Sequence, residues 1–412
     1  MVECWLPYGK TDVYVSVPLR NLLGTVEPVK GQPSLDPRRT IIESLDEPIE
    51  SKRLEDLAKP GARIAVAIDG TMAHPLAASA VSAIVETLSR TDLPTSNISI
   101  IIGNGLRERG NPDLLNAVRS YGGVQGLSVI EHSRVAENLA SLGKTSMGTE
   151  VEICNMFVEA DIRIAVSEVM VDHFTGLRGA QNSVLPALSG QKTITQSRSV
   201  SLSREIAPGG VVGNPAHSDS MDAAFLAEVN LAVNLVTNGW GELVKACSGN
   251  LEKSWEKAVV ELGDSYRVKA EENADVIIVS AGGDRFDFDL YNSVWALESV
   301  SSITKKGATI ILLAECSEGL GAGGLETLSQ VDALSELRRR YMLGARAVYL
   351  IKTTLRRNEV ILVSALPSYL AKPLGFDMER TANDALKKVY ESRRGRRTLV
   401  ITHGCTTIPY VG

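Results

Sequence analysis

The sequence has 412 residues, more than a single hydrophobic core usually organises, so two domains are expected. Hydrophobic residues make up 44% of it and charged residues 22%, proportions that exclude disordered and fibrous classes of protein. The formal net charge of -6 argues against nucleic acid and anionic membranes as partners, because both select basic surfaces.

The cellular compartment is predicted from the absence of targeting signals. No apolar run reaches the ~18 residues needed to cross a bilayer, and the N-terminal stretch lacks the basic start and apolar segment of a signal peptide. The five cysteines are widely spaced and form no CxxC pair, so neither a disulfide framework nor a thiolate zinc site is indicated. We therefore expect a cytoplasmic protein, and a homo-oligomer is compatible with the sequence.

Short apolar runs alternate with helix-length segments along the chain. In chain order, the predicted strands are Ile64–Ile68, Ile98–Ile102, Ile162–Val166, Val276–Ser280, Ile310–Ala314, Val360–Ala365 and Leu399–Thr402. The predicted helices are Leu76–Ser89, Pro112–Tyr121, Met221–Val236, Leu290–Ile303, Leu325–Tyr341 and Glu379–Arg393. Most strand segments are continuous in Val, Ile and Ala, as expected when both faces of a sheet are covered. The alternation predicts an α/β protein of two α/β domains with largely parallel sheets.

A domain boundary is predicted after residue 265. The segment 251–273 is charged and amphipathic, and it ends where a fresh apolar strand begins. We therefore assign residues 1–265 to an N-terminal α/β domain and residues 270–412 to a C-terminal one.

Six loops follow predicted strands and are candidates for function. They are residues 69–75, 103–110, 167–186, 280–293, 314–321 and 402–409. Ligands of open α/β sheets bind outside the carboxyl ends of the strands, and binding residues concentrate on such loops.

The loop 167–186 is the richest in chemical groups. Its glycines allow close approach of a ligand, and exposed N–H groups there can bind an anion. Asp172 beside His173 would orient the imidazole or raise its pKa, which suits a general base. The alternative is that His173 only satisfies backbone carbonyls.

Two other loops carry charged groups. Asp284, Asp287 and Asp289 have a spacing that can bind a hard cation, or that caps a helix N-terminus. Arg107 and Arg109 lie directly after a strand, and their guanidiniums favour an anionic ligand, although a solvated loop would look the same. Sequence motifs of serine hydrolases, P-loop proteins, zinc proteases and dinucleotide-binding proteins are absent.

Taken together, the loops resemble those of the nickel-pincer lactate racemase superfamily over residues 10 to 410. DGTMAHP is similar to that family's DxTRP motif, GNGLRERG occupies the place of its A-T-G-x-H-R segment, and GNPAHSDSMDAA resembles its N-P-x-H-x-D-M segment. The most specific match is SEVMVDHFTGLRGAQNSVLPALSGQKTIT. The segment SAGGDRFDFDLYNSVWAL matches in the second half. The resemblance implies a lactate racemase-like fold with the active-site cleft between the domains.

In that family a lysine holds the pincer nucleotide covalently, one histidine ligates its nickel, and two further histidines move protons. The residues retained here at the family's positions are Asp69, Thr71, His173, Asp287 and Tyr291. The replaced positions are Met72 for an arginine, Arg107 for an acid/base histidine, Asn182 for the lysine, Arg198 for the nickel ligand, Asn292 for a glutamine and Trp295 for a second-domain lysine. An amide cannot form the lysine's link, and a charged guanidinium cannot coordinate nickel, so a covalent nickel-pincer holoenzyme is not expected.

The leading hypothesis is an enzyme acting on a small anionic substrate, such as a hydroxy acid, a polycarboxylate or a phosphorylated compound. The expected catalytic residues are His173, Asp172, Asp69, Tyr291 and Asp287, working by proton abstraction as an epimerase, racemase or dehydratase. The expected substrate-binding residues are Arg107, Arg178, Arg198, Thr71, Gln181, Asn182, Asn292 and Trp295. Arg107, Arg178 and Arg198 are expected to make the cleft strongly cationic. The alternatives are a racemase with a noncovalent cofactor and a non-catalytic anion-binding homologue; the sequence identifies no cofactor or metal.

Overall fold

The computed structural model describes residues 1–122, 127–202, 206–331, 333–339, 341–392 and 396–412. These residues form two compact units. The central unit is Lys30–Asp264, and the composite unit joins Met1–Val29 to Ser265–Gly412.

The strands and helices are as follows. The strands are β1 (Val2–Tyr8), β2 (Thr11–Val17), β3 (Leu22–Val26), β4 (Ile64–Asp69), β5 (Ile98–Gly103), β6 (Ser128–His132), β7 (Leu139–Lys144), β8 (Glu150–Cys154), β9 (Ile162–Val169), β10 (Val171–Asp172), β11 (Gly176–Leu177), β12 (Leu231–Thr237), β13 (Leu243–Gly249), β14 (Arg267–Ala270), β15 (Ala274–Ser280), β16 (Thr304–Leu313), β17 (Glu359–Val363), β18 (Asp377–Glu379), β19 (Thr398–Ile401) and β20 (Ile408–Val411). The helices are α1 (Pro37–Asp46), α2 (Leu54–Leu57), α3 (His74–Leu88), α4 (Pro112–Gly122), α5 (Asn155–Val158), α6 (Gln191–Ser199), α7 (Pro215–Leu226), α8 (Leu251–Leu262), α9 (Leu290–Ser293), α10 (Trp295–Ser299), α11 (Leu325–Ser329), α12 (Leu334–Arg339), α13 (Ala345–Leu355), α14 (Ser368–Ala371) and α15 (Ala382–Ser392).

The central unit is built on a six-stranded sheet in the order β13-β12-β9-β4-β5-β6. Every neighbouring pair is parallel except β12 and β13, which are antiparallel. All residues of β4 and β12 are buried, because helices and loops cover both faces of these central strands. Because ligands of open α/β sheets bind at the carboxyl ends of the strands, the candidate site of this unit lies where β4, β5 and β9 end.

The composite unit is built on a second six-stranded sheet in the order β18-β17-β16-β15-β19-β3, with every neighbouring pair parallel. Its core includes apolar side chains of the β1–β2 hairpin, among them Leu6 and Val15, which are fully buried. The hairpin turns at Gly9, whose φ of 54° favours glycine. Two largely parallel sheets, the fold class expected from the sequence, are confirmed.

The structure divides the chain differently from the predicted domains at the N-terminus. Residues 1–29 were assigned to the N-terminal domain, but β3 forms the edge of the composite sheet by pairing with β19. This pairing joins residues about 375 positions apart, such as Leu399 and Gly24, so no local sequence pattern predicts it. The second boundary, between Asp264 and Ser265, lies where the sequence places it.

All seven predicted strands are confirmed, with ends shifted by a few residues. The helix predicted over Met221–Val236 is wrong in its second half, because α7 ends at Leu226 and β12 begins at Leu231. The apolar residues of β12 pair with β9 and are buried on both faces, and a continuous apolar run fits such a strand as well as a buried helix.

Two other predicted helices are interrupted. The segment Leu290–Ile303 forms α9, α10 and a 3₁₀ turn (Ser301–Ile303), and the segment Leu325–Tyr341 contains α11 and α12. The predicted helix Glu379–Arg393 is α15, which begins at Ala382; Arg393 lies outside the described residues. The predicted helices Leu76–Ser89 and Pro112–Tyr121 are confirmed as α3 and α4.

The six candidate loops follow β4, β5, β9, β15, β16 and β19, as the sequence predicts. The five cysteines are free and buried. Within the described ranges, no helix combines the length and the apolar character needed to traverse a lipid bilayer.

Candidate functional site

The first group of site residues lies where β4 and β9 end. Asp69 is the last residue of β4, and one of its oxygens accepts hydrogen bonds from the Thr71 backbone N–H at 3.0 Å and the Thr71 hydroxyl at 2.8 Å. Its other oxygen accepts a hydrogen bond from the Ser167 hydroxyl at 3.1 Å. Ser167 belongs to β9, which pairs in parallel with β4, so this contact connects the candidate loops 69–75 and 167–186.

Arg178 connects the same two loops through its guanidinium. Its Nη1 donates to the Thr71 hydroxyl and lies 3.8 Å from an Asp69 oxygen, while its Nη2 donates to Asp172 at 3.1 Å. Burial opposes the charged form, but the carboxylates of Asp69 and Asp172 outweigh it and raise the pKa of Arg178. The positive charge of Arg178 is therefore balanced within the protein.

Asp172 holds the turn that carries His173. Its Oδ1 accepts hydrogen bonds from the N–H groups of Phe174 and Thr175 and from the Thr175 hydroxyl, at 2.9, 2.7 and 2.9 Å. Burial alone would raise the pKa of Asp172, but the guanidiniums of Arg178 and Arg198 and these N–H groups hold it well below its usual range. A carboxylate so strongly held is suited to fixing the loop rather than to proton transfer.

The sequence predicts a strongly cationic region, but the buried charges around these loops do not make it so. Glu168 is fully buried and accepts hydrogen bonds from the Ala73 N–H at 2.6 Å and the Thr237 hydroxyl at 3.1 Å. Among the described residues of these loops, the buried carboxylates are Asp69, Glu168 and Asp172, and the buried guanidiniums are Arg178 and Arg198. The prediction neglected these carboxylates, which offset the arginines.

Arg178 and Arg198 each have a buried donor without a partner among the described residues, Nε in Arg178 and Nη1 in Arg198, but no carboxylate is paired with Arg198 as Asp69 and Asp172 are with Arg178. Arg198 lies in α6, is 6% exposed, and places its guanidinium carbon 3.8 Å from the centroid of the Phe174 ring. Its Nη1 is buried and has no hydrogen-bond partner among the residues that the structure describes. Because Phe174 is the next residue after His173, this guanidinium lies beside the loop that carries the candidate base. A buried donor without an acceptor costs roughly 1–3 kcal/mol, and an anionic ligand would supply the acceptor.

Gln181 and Asn182 lie in a buried 3₁₀ turn, Ala180–Ser183, directly after Arg178 and Gly179. The Asn182 side-chain oxygen accepts the Gly179 N–H at 3.0 Å, so this amide fixes the backbone. A Cβ atom at Gly179 would lie 2.3 Å from the Trp255 indole, which explains the glycine there. Gln181 is fully buried, and in the described structure neither of its amide atoms has a hydrogen-bond partner.

Arg107 lies on the loop after β5 and is half-buried. This loop is joined to the loop after β4, because the Gly70 N–H donates to the Gly103 carbonyl at 2.9 Å and the Asn111 amide donates to the Gly70 carbonyl at 3.1 Å. The structure therefore brings the loops after β4, β5 and β9 together in the central unit. Arg109 is exposed.

In the composite unit, Asp287 is fully buried on the loop after β15. Its Oδ2 accepts hydrogen bonds from the N–H groups of Gly9 at 2.8 Å and Glu315 at 3.3 Å, and its Oδ1 has no partner among the described residues. Burial raises the pKa of Asp287 to about 6, with Glu315 and Asp284 adding to the effect and the two N–H groups opposing it. Its carboxyl group therefore titrates near neutral pH.

The other candidate residues of that loop pack against each other. Asp289 caps α9 by accepting hydrogen bonds from the backbone N–H and the side-chain amide of Asn292, both at 2.8 Å. The rings of Tyr291 and Trp295 meet edge to face with centroids 5.5 Å apart, and both side chains are buried. The Arg346 guanidinium carbon lies 5.7 Å from the centroid of the Trp295 ring. The DxD-like spacing is thus explained at Asp289 by a helix cap, and Trp295 stacks within its own unit.

The nickel-pincer cofactor implied by the resemblance does not fit the residues at its expected positions. Asn182 carries no amine and uses its amide to hold Gly179, and Arg198 presents a charged guanidinium stacked on Phe174. Over the described ranges, no group of three or more His, Cys, Asp or Glu side chains is arranged to hold a metal ion.

Several residues of the site were missed in the sequence. Ser167 and Glu168 directly follow the predicted strand Ile162–Val166 and were not singled out within the candidate loop 167–186; polar residues at the carboxyl end of an apolar strand are the signal that identifies them. Arg134, which holds the Arg107 loop, and Asn214, whose amide donates to the Phe174 carbonyl at 2.9 Å, lie in segments without any strand-end signal.

Comparison with family models gives two matches. Residues 8–208 match the lactate racemase N-terminal domain, and residues 269–408 match the lactate racemase C-terminal domain. Two curated relatives carry the name lactate racemase. The protein from Thermoanaerobacterium thermosaccharolyticum is 27% identical over 329 residues, covering 79% of this chain and 77% of its own. The protein from Lactiplantibacillus plantarum is 25% identical over 418 residues, covering 97% of each chain.

Solved structures show the same fold. The lactate racemase apoprotein from Thermoanaerobacterium thermosaccharolyticum superposes with a TM-score of 0.83 at 23% identity, covering 99% of this chain and all of its own. A Thermotoga maritima protein superposes with a TM-score of 0.70 at 13% identity, covering 92% of this chain and all of its own.

Proposed function

The chain belongs to the lactate racemase family, and from this premise we propose that it is an enzyme that abstracts the α-proton of a small 2-hydroxy carboxylate. The product is the epimer when the proton returns on the opposite face, or a dehydrated acid when a β-hydroxyl group leaves. The reaction runs without a covalent nickel-pincer cofactor, because Asn182 and Arg198 do not fit one.

The observation that carries this proposal is the buried Arg198 beside the His173 loop. Its guanidinium stacks on Phe174, and its Nη1 lacks an acceptor among the described residues. A substrate carboxylate would supply that acceptor, since guanidinium and carboxylate match in geometry and charge. Arg107, half-buried on the adjoining loop, is the second guanidinium assigned to the substrate.

His173 is assigned as the base. Its imidazole removes the proton from the α-carbon, and the electron pair moves into the carboxylate to give an enediolate. Arg198 holds the carboxylate and stabilises the added negative charge. Asp172 and Arg178 serve by fixing the turn around His173, through the bonds that Asp172 accepts from Phe174, Thr175 and Arg178.

The charge balance of the loops favours a substrate with a single carboxylate. Arg178 is occupied by Asp69 and Asp172, so it does not supply a free positive charge. The fully buried Glu168 adds a further negative charge to the same region. A phosphorylated or polycarboxylate substrate would need more uncompensated cations than these loops provide.

Asp287 is assigned as the second proton-transfer group. Its pKa of about 6 lets it exist as both acid and base near neutral pH, and its Oδ1 has no partner within the described part of the chain. Tyr291 and Asp69 are less suited, because Tyr291 is packed against Trp295 and Asp69 is bonded to Thr71 and Ser167.

The test is turnover of a panel of 2-hydroxy carboxylates, D- and L-lactate included, by the wild type and by Arg198→Gln and Arg198→Lys variants. We expect Arg198→Gln to lower kcat/KM by about a hundredfold, the effect of losing one charge-assisted contact to the substrate, and Arg198→Lys to recover part of that loss. Arg267→Gln is the control, because Arg267 stacks on Tyr410 at 4.8 Å outside the candidate loops. Equal losses in the Arg198→Gln and Arg267→Gln variants would contradict the proposal.

A further inference from the structure

The loop that carries Arg107 is held by an arginine outside the motifs of the family. Arg134 follows β6, is 7% exposed, and donates from Nη1 to the backbone carbonyls of Leu106 at 3.0 Å and Arg107 at 3.2 Å. Its Nη2 donates to the Glu108 carboxylate at 3.0 Å. One buried guanidinium therefore binds three consecutive residues of the loop.

The two ends of the loop are held by Glu131, near the end of β6. Its Oε1 accepts hydrogen bonds from the Asn111 N–H at 2.7 Å and the Asn104 amide at 3.3 Å. A Cβ atom at Gly110 would lie 2.9 Å from the Glu131 carboxylate, so the glycine allows the close approach. Glu131, in β6, therefore holds the two ends of the loop, and Arg134, which follows β6, holds its middle residues.

These bonds have a consequence for the charges. Arg134 is paired with Glu108, so its positive charge is compensated at 3.0 Å. Its Nη1 and Nη2 donors are directed to backbone carbonyls and to that carboxylate, as expected of a group that holds a loop in place. Arg107 is the middle one of the three residues bound by Arg134, and its backbone is restrained at its own carbonyl and at its N–H, which donates to the Asn104 carbonyl at 2.9 Å.

We propose that Arg134 is a positioning residue, which fixes the loop after β5 so that Arg107 is presented to the substrate carboxylate. This inference rests on the role assigned to Arg107 in the proposed function. A guanidinium that binds two carbonyls and one carboxylate cannot be replaced by a shorter amide or by a point charge without losing part of that geometry.

The experiment compares Arg134→Gln and Arg134→Lys with Arg163→Gln. Arg163 is the matched control, because it too donates to two backbone carbonyls, those of Val158 and Glu228, and to the Glu228 carboxylate. It lies at the amino end of β9, whereas the candidate loops follow the carboxyl ends of the strands in the same sheet. Two readouts are taken: steady-state kinetics on the best 2-hydroxy carboxylate, and hydrogen exchange of the peptide covering residues 104–111.

We expect Arg134→Gln to raise KM by about tenfold, with a smaller change in kcat, because substrate binding by Arg107 is weakened while the base is intact. Hydrogen exchange in residues 104–111 becomes faster in this variant. The KM and the exchange rate of Arg134→Lys lie between those of Arg134→Gln and the wild type. Arg163→Gln leaves both the KM and the exchange of this peptide unchanged. Unchanged exchange in residues 104–111 overturns the inference. Faster exchange with an unchanged KM also overturns it, because loop order would then have no effect on substrate.

Failure of the proposed function gives a different result. If the wild type turns over none of the panel, the proposed reaction is wrong, and the comparison is repeated on the dissociation constant of L-lactate. A tenfold weaker L-lactate affinity in Arg134→Gln, with faster exchange in the loop, still supports the positioning role. A wild type that does not bind L-lactate contradicts both proposals.

Discussion

At the scale of residues, the three arginines predicted to bind an anion have different roles. Arg178 is neutralised by Asp69 and Asp172, Arg198 stacks on Phe174 with an unsatisfied donor, and Arg107 is carried by a loop that another arginine holds. The sequence predicted that these residues matter but not how their charges are shared. Asp69 and Arg178 are more than a hundred positions apart, and which carboxylate meets which guanidinium depends on tertiary structure.

Asp287 gives a prediction about stability against pH. Its pKa is raised to about 6, so between pH 4 and 6 the folded protein binds a proton that the unfolded chain has released, and this contribution to stability falls as the pH rises. Asp287→Asn cannot ionise. The free energy of unfolding of Asp287→Asn relative to the wild type should therefore increase by about 2–3 kcal/mol from pH 4 to pH 7, measured by urea unfolding.

The control for this prediction is Asp275→Asn. Although burial opposes it, the Arg397 N–H and the Lys305 ammonium lower the pKa of Asp275, so that carboxylate stabilises the protein at neutral pH and the stabilisation is lost as the pH falls. Because both the unfolded and the folded pKa of Asp275 lie below 4, the stability of Asp275→Asn relative to the wild type should change little from pH 4 to 7, and the variant should lose relative stability only as the pH rises through the range below 4. An increase of the same size in both variants between pH 4 and 7 would refute the assignment for Asp287.

At the scale of elements, the sequence predicted the parallel strands and the loops at their carboxyl ends, because continuous Val and Ile runs are a local signal. It did not predict β12, since an apolar run next to a helix also fits a longer helix. It also did not predict that α7 would hold the His173 loop. The Asn214 amide donates to the Phe174 carbonyl at 2.9 Å while its oxygen caps α7, and a capping residue alone does not reveal a second partner.

Asn214 therefore supports a prediction with a matched control. Asn214→Ala removes the cap of α7 and the bonds to the Phe174 and Gly210 carbonyls, whereas Asn250→Ala removes the cap of α8. We expect a loss of about 2–3 kcal/mol for Asn214→Ala and about 1 kcal/mol for Asn250→Ala, measured by chemical unfolding. Turnover should fall only in the Asn214→Ala variant, because only Asn214 supports the His173 loop. Equal losses of stability would show that the bond to Phe174 contributes nothing.

At the scale of the whole molecule, the family was predictable from the order and spacing of the loops, and the family-model matches confirm it. The segments that make up the composite unit were not predictable, because β3 and β19 pair although most of the chain lies between them in sequence. The reaction follows least directly from the family. The resemblance implies that a racemase of this family needs a lysine and a histidine where this chain has Asn182 and Arg198. The cofactor therefore has no attachment here, and the retained His173 supports the proposal of proton transfer without it.

The central claim is tested most directly by the fate of the substrate's α-hydrogen in D₂O. The wild type, produced in a host that makes no nickel-pincer cofactor, is incubated with the 2-hydroxy carboxylate panel and followed by proton NMR. Abstraction by His173 exchanges the proton with solvent, so the account predicts loss of the α-hydrogen signal of at least one substrate, and no loss with a His173→Asn variant whose circular dichroism is that of the wild type. Product that retains its original α-hydrogen, or turnover that appears only when the cofactor is supplied, would contradict it.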